Sequence, residues 1–193
     1  MLALIRTIER PYHFLTRRTD LRRALKIVPP LLDVLKGIPT EGFLPSAYWR
    51  KRRGASDDFD PDRDRCGLLW CSPVAPNTGE HAETVTQLGT AIALEHGFEP
   101  IISMSLINER STITTIAITY DRQIDGEDEK AMRCYRALTQ ALLAQGYPPY
   151  RLNVASMEYG HTGGDYAAAL QAIKAALDPK GILAPGRYEP AAG

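Results

Sequence analysis

Cys66-Gly67-Leu68-Leu69-Trp70-Cys71-Ser72-Pro73-Val74-Ala75-Pro76-Asn77-Thr78-Gly79 sets the architecture of this chain. Its first half is an apolar run of strand length, and Pro73 together with the turn Pro76 to Gly79 closes it. Directly after the turn, Glu80 to about Glu95 places Val85, Leu88 and Ile92 on one helical face, and Gly97 stops the helix. Cys71 is expected inside the sheet as a small apolar residue.

Working downstream, Ile101 to Ile107 reads as the next strand, Asn108-Glu109-Arg110 as a turn, and Ser111 to Tyr120 as a returning strand. On that strand Ile113, Ala117 and Thr119 alternate with Thr112, Ile116 and Ile118. Asp121 to Gly126 is a polar loop. Asp128 to Gln145 is a helix with Ala131, Tyr135, Leu138 and Leu142 as its buried stripe, ended by Gly146. A strand carrying Arg151, Asn153 and Ala155 follows. The succession strand, helix, strand, strand, helix, strand is the split arrangement of ferredoxin-like domains, an α+β fold with an antiparallel sheet and helices on one face. Beyond it, Met157 to Gly164 is loop, and Asp165 to Leu177 is a third helix with Tyr166, Leu170, Ile173 and Leu177 inward. Asp178-Pro179-Lys180-Gly181 stops that helix, and Ile182 to Arg187 runs extended.

Upstream, residues 1–28 are helical in part, Pro29-Pro30 ends that segment, and Leu31 to Lys36 forms a short helix stopped by Gly37. Phe43 to Asp64 shows little periodicity and reads as a functional loop or lid. Its aspartates 57, 58, 60, 62 and 64 lack the central Gly and terminal Glu of a calcium loop, so no metal is expected there. The chain thus divides into a helical and loop extension, 1–65, and a ferredoxin-like domain with its tail, 66–193.

Composition is that of an ordinary globular protein of 193 residues with a formal net charge of zero. Residues 1–53 hold twelve Lys or Arg against four acids, and the remainder eleven against nineteen. The basic residues interleave with apolar ones at helical spacing, which favours a solvated helix face over nucleic acid. Three cysteines with no zinc-type spacing fit a reducing cytoplasm, and no apolar run reaches the ~18–20 residues of a membrane span. His81 and His96 flank the first helix and are expected to be exposed; His161 reads as a surface loop residue.

The chemistry concentrates at Gly146-Tyr147-Pro148-Pro149-Tyr150-Arg151. The Pro-Pro pair removes two backbone donors and stiffens the turn, so a phenol and a guanidinium leave it side by side and can converge on one anionic oxygen. A half-buried aromatic beside a solvated Arg is the plainer alternative.

Leu-Lys-Gly-Ile-Pro-Thr at 35–40, Leu-Trp-Cys-Ser-Pro-Val-Ala-Pro at 69–76, Tyr-Arg at 150–151 and Ala-Leu-Asp-Pro-Lys-Gly-Ile-Leu-Ala-Pro-Gly-Arg at 176–187 occur together and in order. The combination resembles the C-terminal portion of flavoproteins of the vanillyl-alcohol oxidase and 4-cresol dehydrogenase type. That resemblance implies a cap over the flavin of FAD, with Tyr150 and Arg151 holding the oxygen of a para-substituted phenol, Ser103, Met104 and Ser105 facing the substrate, and Pro185, Gly186 and Arg187 meeting the cofactor. It also implies a separate FAD-binding domain or partner chain, non-covalent FAD because Leu68 stands where some members carry an anchoring His or Tyr, and a homodimer. A stand-alone ferredoxin-like binding or oligomerisation module without flavin chemistry is the rival reading, and a fragment that needs an FAD-binding partner is a third.

Overall fold

The computed structural model describes residues 32–39, 41–51, 58–159 and 164–187. The expected helix over 1–28 and His161 lie outside them. Strands β1 (Cys66–Cys71), β2 (Val74–Pro76), β3 (Ile101–Leu106) and β4 (Ser111–Asp121) form one antiparallel sheet, with helices α1 (Gly79–Glu95), α2 (Glu127–Ala144) and α3 (Gly164–Leu177). β4 is central. β3 runs along one of its edges from Ile101 opposite Ala117 to Leu106 opposite Thr112. β1 and β2 share the other edge in a single register, Cys71 opposite Ile116 and Val74 opposite Ile113, as one strand interrupted at Ser72-Pro73. Pro73 has no N–H to give the ladder, so the interruption is written into the sequence.

Strand alternation sorts the sheet into two faces. Leu69, Cys71, Ala75, Ile116, Ile118, Tyr120 and Ile102 meet Val85, Ala93, Leu138, Leu142 and their neighbours on α1 and α2 in one core. The stripe expected on α2 is buried throughout, joined by Cys134 and Thr139. Gly67 lies where a Cβ would stand 2.3 Å from the Tyr120 ring, so only glycine lets that ring close the end of the core. Burial pushes the Cys71 and Cys134 thiols up to about 11, which keeps both neutral packing groups rather than nucleophiles.

Several expectations give way to the structure: the tail Ile182 to Arg187 turns rather than running extended, with Arg187 N–H donating to Ala184 O at 3.1 Å. The segment after Pro149 is not a strand: it attaches through a single bridge, Pro73 to Pro149, with Val74 N–H donating to Pro148 O at 2.8 Å and Tyr150 N–H to Ser72 O at 3.0 Å. Prolines 73, 148 and 149 remove the donors that a longer ladder needs, and Val154–Tyr159 coils into a 3-10 helix instead. The stripe of α3 does not face inward. Ala167 is the buried residue of that helix, while Tyr166, Ile173 and Leu177 are exposed, Ile173 and Leu177 lining an open groove with the tail instead of entering a core. Finally, Glu41–Tyr48 is a 3-10 helix within the segment read as irregular. Pro45 and the lack of an apolar period hide it from sequence analysis.

That 3-10 helix leans on the end of β1 and β4, and Lys51 just after it makes a 2.5 Å ion pair with Asp121, both side chains about 95 % buried. Tyr48 donates to Asp64 at 2.6 Å and accepts from the Asp60 amide. Burial, then the Asp64 bond, pushes the Tyr48 phenol up to about 12. Arg63, then Tyr48, holds the Asp64 carboxyl below its ordinary range. Asp58, Asp60 and Asp64 therefore serve turn geometry and pairing, with Arg63 and Tyr48 as their partners.

Candidate functional site

Among the described residues, the sheet face turned away from α1 and α2 is open around Trp70 and Ser103, while Ala117 and Thr119 on β4 are buried. Alternation and register arrange its residues in rows across the strands: Trp70, Ala117 and Ile101; then Ser72, Thr115 and Ser103; then Val74, Ile113 and Ser105. Trp70 is 63 % exposed on this face, an unusual position for a large aromatic in a water-facing sheet. Of the three residues expected to face a substrate, Ser103 and Ser105 lie on the open face. Met104 is opposite Thr114 and belongs to the other face.

Tyr150 and Arg151 stand at the rim of this face. The bridge between Pro73 and Pro149 puts Tyr150 opposite Ser72, and the Arg151 guanidinium carbon lies 5.1 Å from the centroid of the Tyr150 ring. The ring is 52 % exposed, so the pair is presented to solvent. A permanent cation stacked beside a phenol O–H supplies charge and a directed donor to an anionic oxygen.

The support of this pair was not legible in the sequence. Tyr147 is buried in the core, and its hydroxyl meets His81 Nδ1 at 2.9 Å, with the rings 5.7 Å apart edge to face. His81 is therefore half-buried and engaged rather than exposed, and it ties the first turn of α1 to the Pro-Pro segment. His96 is likewise engaged, its Nδ1 2.9 Å from Ile92 O.

A second feature lies on α3 and the tail. Leu170, Ile173, Leu177 and Leu183, with Lys174 and Arg187, line a cavity of about 590 Å³. Asp178 holds the turn that forms its floor: it accepts from Lys174 Nζ at 2.8 Å and from the amides of Leu183 and Ile182 at 2.8 and 3.1 Å. Lys174, then the Leu183 amide, keeps the Asp178 carboxyl below its ordinary range. A folded-state value below the unfolded one means that the contribution is complete above about pH 4 and is lost as pH falls through the depressed value. The protection of the Ile182 and Leu183 amides, relative to their intrinsic exchange rates at each pH, is therefore expected to fall on acidification below about pH 4. Asp178→Asn is expected to exchange fast at every pH; a flat wild-type profile contradicts the assignment.

Residues 155–188 match the family described as FAD linked oxidases, C-terminal domain. The chain is 42 % identical over 187 residues to 1'-carboxy-chondrochloren decarboxylase of Chondromyces crocatus, covering 95 % of this chain and 34 % of that protein. It is 28 % identical over 123 residues to the 4-cresol dehydrogenase [hydroxylating] flavoprotein subunit of Pseudomonas putida, covering 63 % of this chain and 23 % of that one. Among solved structures, p-cresol methylhydroxylase with substrate bound superposes with TM-score 0.58 at 26 % identity, over 64 % of this chain and 24 % of that chain. The 4-ethylphenol oxidase of Gulosibacter chungangensis in its isoeugenol complex gives 0.59 at 25 % identity, over 66 % and 25 %. The chain resembles the C-terminal portion of these FAD-linked flavoproteins, in sequence and in fold. It spans about a third of the length of the decarboxylase and about a quarter of the others. The family implies a flavin cofactor.

The described residues fit part of such a cofactor. The α1 N-terminus is already capped by the Thr78 hydroxyl, which accepts from His81 N–H, and α2 opens on Glu127, Asp128 and Glu129. Neither suits a pyrophosphate. The apolar groove beside Arg187 and the exposed Trp70 face suit the cover of an aromatic ring system. Among the described residues no helix is long and apolar enough to cross a membrane.

Proposed function

We propose that this chain is the substrate-capping C-terminal part of an FAD-dependent oxidoreductase that oxidises para-substituted phenols. Residues 1–65 act as its extension and 66–193 as the FAD-linked oxidase C-terminal domain. The carrying observation is the exposed Tyr150 and Arg151 pair, stacked at the rim of an aromatic-bearing open sheet face. The likeness to a 4-cresol dehydrogenase subunit and a 4-ethylphenol oxidase supports phenols as the substrate class.

Arg151 favours the phenolate over the phenol, whose ordinary pKa is ~10, and Tyr150 directs a hydrogen bond to the same oxygen. A bound flavin supplies the acceptor for a hydride leaving the benzylic carbon. The ring rests against the Trp70 face, which excludes water from the reacting carbon. Pro185, Gly186 and Arg187 would meet the cofactor from the tail side, with the rest held by an FAD-binding domain or partner chain.

The 42 % identity with a decarboxylase favours a second outcome at the same site. Hydride loss from the benzylic carbon leaves a quinone methide. If the neighbouring side-chain carbon bears a carboxylate, the electrons of its C–C bond to CO₂ move into a new C=C bond and restore the phenolate. Both outcomes need the same grip on the phenolic oxygen.

The test is to assemble the chain with its flavin-bearing part and add a para-alkylphenol without oxygen. Loss of the flavin absorbance is expected. A spectrum that stays oxidised with 4-alkylphenols and with 4-hydroxyphenyl acids alike overturns the reading.

A further inference from the structure

Across the open face, the row next to Tyr150 carries hydroxyls on every strand: Tyr150 opposite Ser72, Ser72 opposite Thr115, Thr115 opposite Ser103. The rows on either side are mainly apolar, Trp70, Ala117 and Ile101 on one and Val74 and Ile113 on the other. A hydroxyl row between apolar rows is no requirement of the fold. The first link is formed: Ser72, about nine-tenths buried, donates its hydroxyl to Thr115 Oγ1 at 3.4 Å. Thr115 accepts in that bond, so its own O–H proton is directed elsewhere. Ser103, one strand further, is exposed on the same face.

Resting on the phenol reading, we infer that Thr115 and Ser103 determine specificity at that site by binding a carbonyl oxygen on the para side chain of the substrate. The geometry sets the length. Neighbouring strands lie ~4.8 Å apart, so Thr115 is about 10 Å across the sheet from the Tyr150 strand segment and Ser103 one spacing more. A phenol gripped at Tyr150 and Arg151 lays its ring along the row, between Trp70 and Val74. A side chain with its carbonyl on the third carbon from the ring then brings that oxygen to Thr115 and Ser103. A short alkyl group stops before them and leaves both hydroxyls facing apolar matter. The substrate class is therefore a 4-hydroxyphenyl compound with an acyl-type side chain, an acid or amide, rather than a simple alkylphenol.

The probe pair is 3-(4-hydroxyphenyl)propanamide and 4-butylphenol, of similar length; the neutral amide does not compete for Arg151 as a carboxylate would. Binding to the full chain is followed by amide NMR shifts, with Trp70 as the reporter of ring contact. The propanamide is expected to bind more tightly than 4-butylphenol by about tenfold and to shift Thr115 and Ser103. Thr115→Val keeps the shape of the side chain and is expected to lower propanamide affinity more than 4-butylphenol affinity, erasing the preference. Equal affinity of the two probes in the wild type overturns the inference and leaves the phenol reading standing. An equal loss for both probes in Thr115→Val also overturns it, because a structural role then explains the residue. Shifts from neither probe overturn the inference, while flavin bleaching in the assembled protein decides the phenol reading separately.

Discussion

Arg151→Met in the assembled flavoprotein is expected to lower kcat/KM for a para-alkylphenol by about 10²–10³. Met keeps the length and the contact with the Tyr150 ring, so the loss reports the missing charge. The charge matters most where the phenolate forms, and its removal raises the pH at which the substrate ionises on the enzyme. The rate loss is therefore expected to shrink as pH approaches the ordinary phenol value of ~10. Arg151 is exposed and lies outside the core, so thermal stability is expected to stay close to wild type. A variant with unchanged kcat/KM, or a loss of the same size at every pH, removes Arg151 from the chemistry.

Lys51→Met is expected to destabilise the fold by ~3–5 kcal/mol, because it removes the Lys51 half of an ion pair whose side chains are both about 95 % buried. The Gln123 amide still donates to Asp121, but a neutral amide does not replace the charge of an ammonium. The double variant Lys51→Met, Asp121→Leu removes both charges and is expected to recover most of the loss, since the desolvation cost of the pair disappears with it. Urea unfolding of the two variants decides the matter: equal losses mean that the segment ending at Lys51 is held by packing rather than by the ion pair.

The order and type of the elements were legible where the apolar period was strong. Val85, Leu88 and Ile92 on α1, and Ala131, Tyr135, Leu138 and Leu142 on α2, face the sheet as their spacing requires. The Tyr150 and Arg151 juxtaposition was legible because two adjacent residues after a Pro-Pro pair cannot travel far apart. The partners of that pair were not. Ser72 and Ser103 are separated by α1 and Ser103 and Thr115 by the hairpin turn, and the three meet through strand register. His81 and Tyr147 are 66 residues apart and meet because α1 packs beside the Pro-Pro segment. The fourth strand was misread because a run rich in Leu, Val and Ala satisfies strand propensity, while the donors needed for pairing had been removed by prolines on both sides of the ladder.

Local sequence was enough to specify the β-α-β-β-α framework, its core faces and the stiff turn that presents Tyr150 and Arg151, because periodicity, glycine stops and proline geometry act over a few residues. Tertiary structure alone chose which hydroxyls share a row, buried Lys51 against Asp121, engaged His81, and left the apolar stripe of α3 uncovered. Those outcomes depend on register and on what packs across each face, and both are properties of distant segments brought together by the fold.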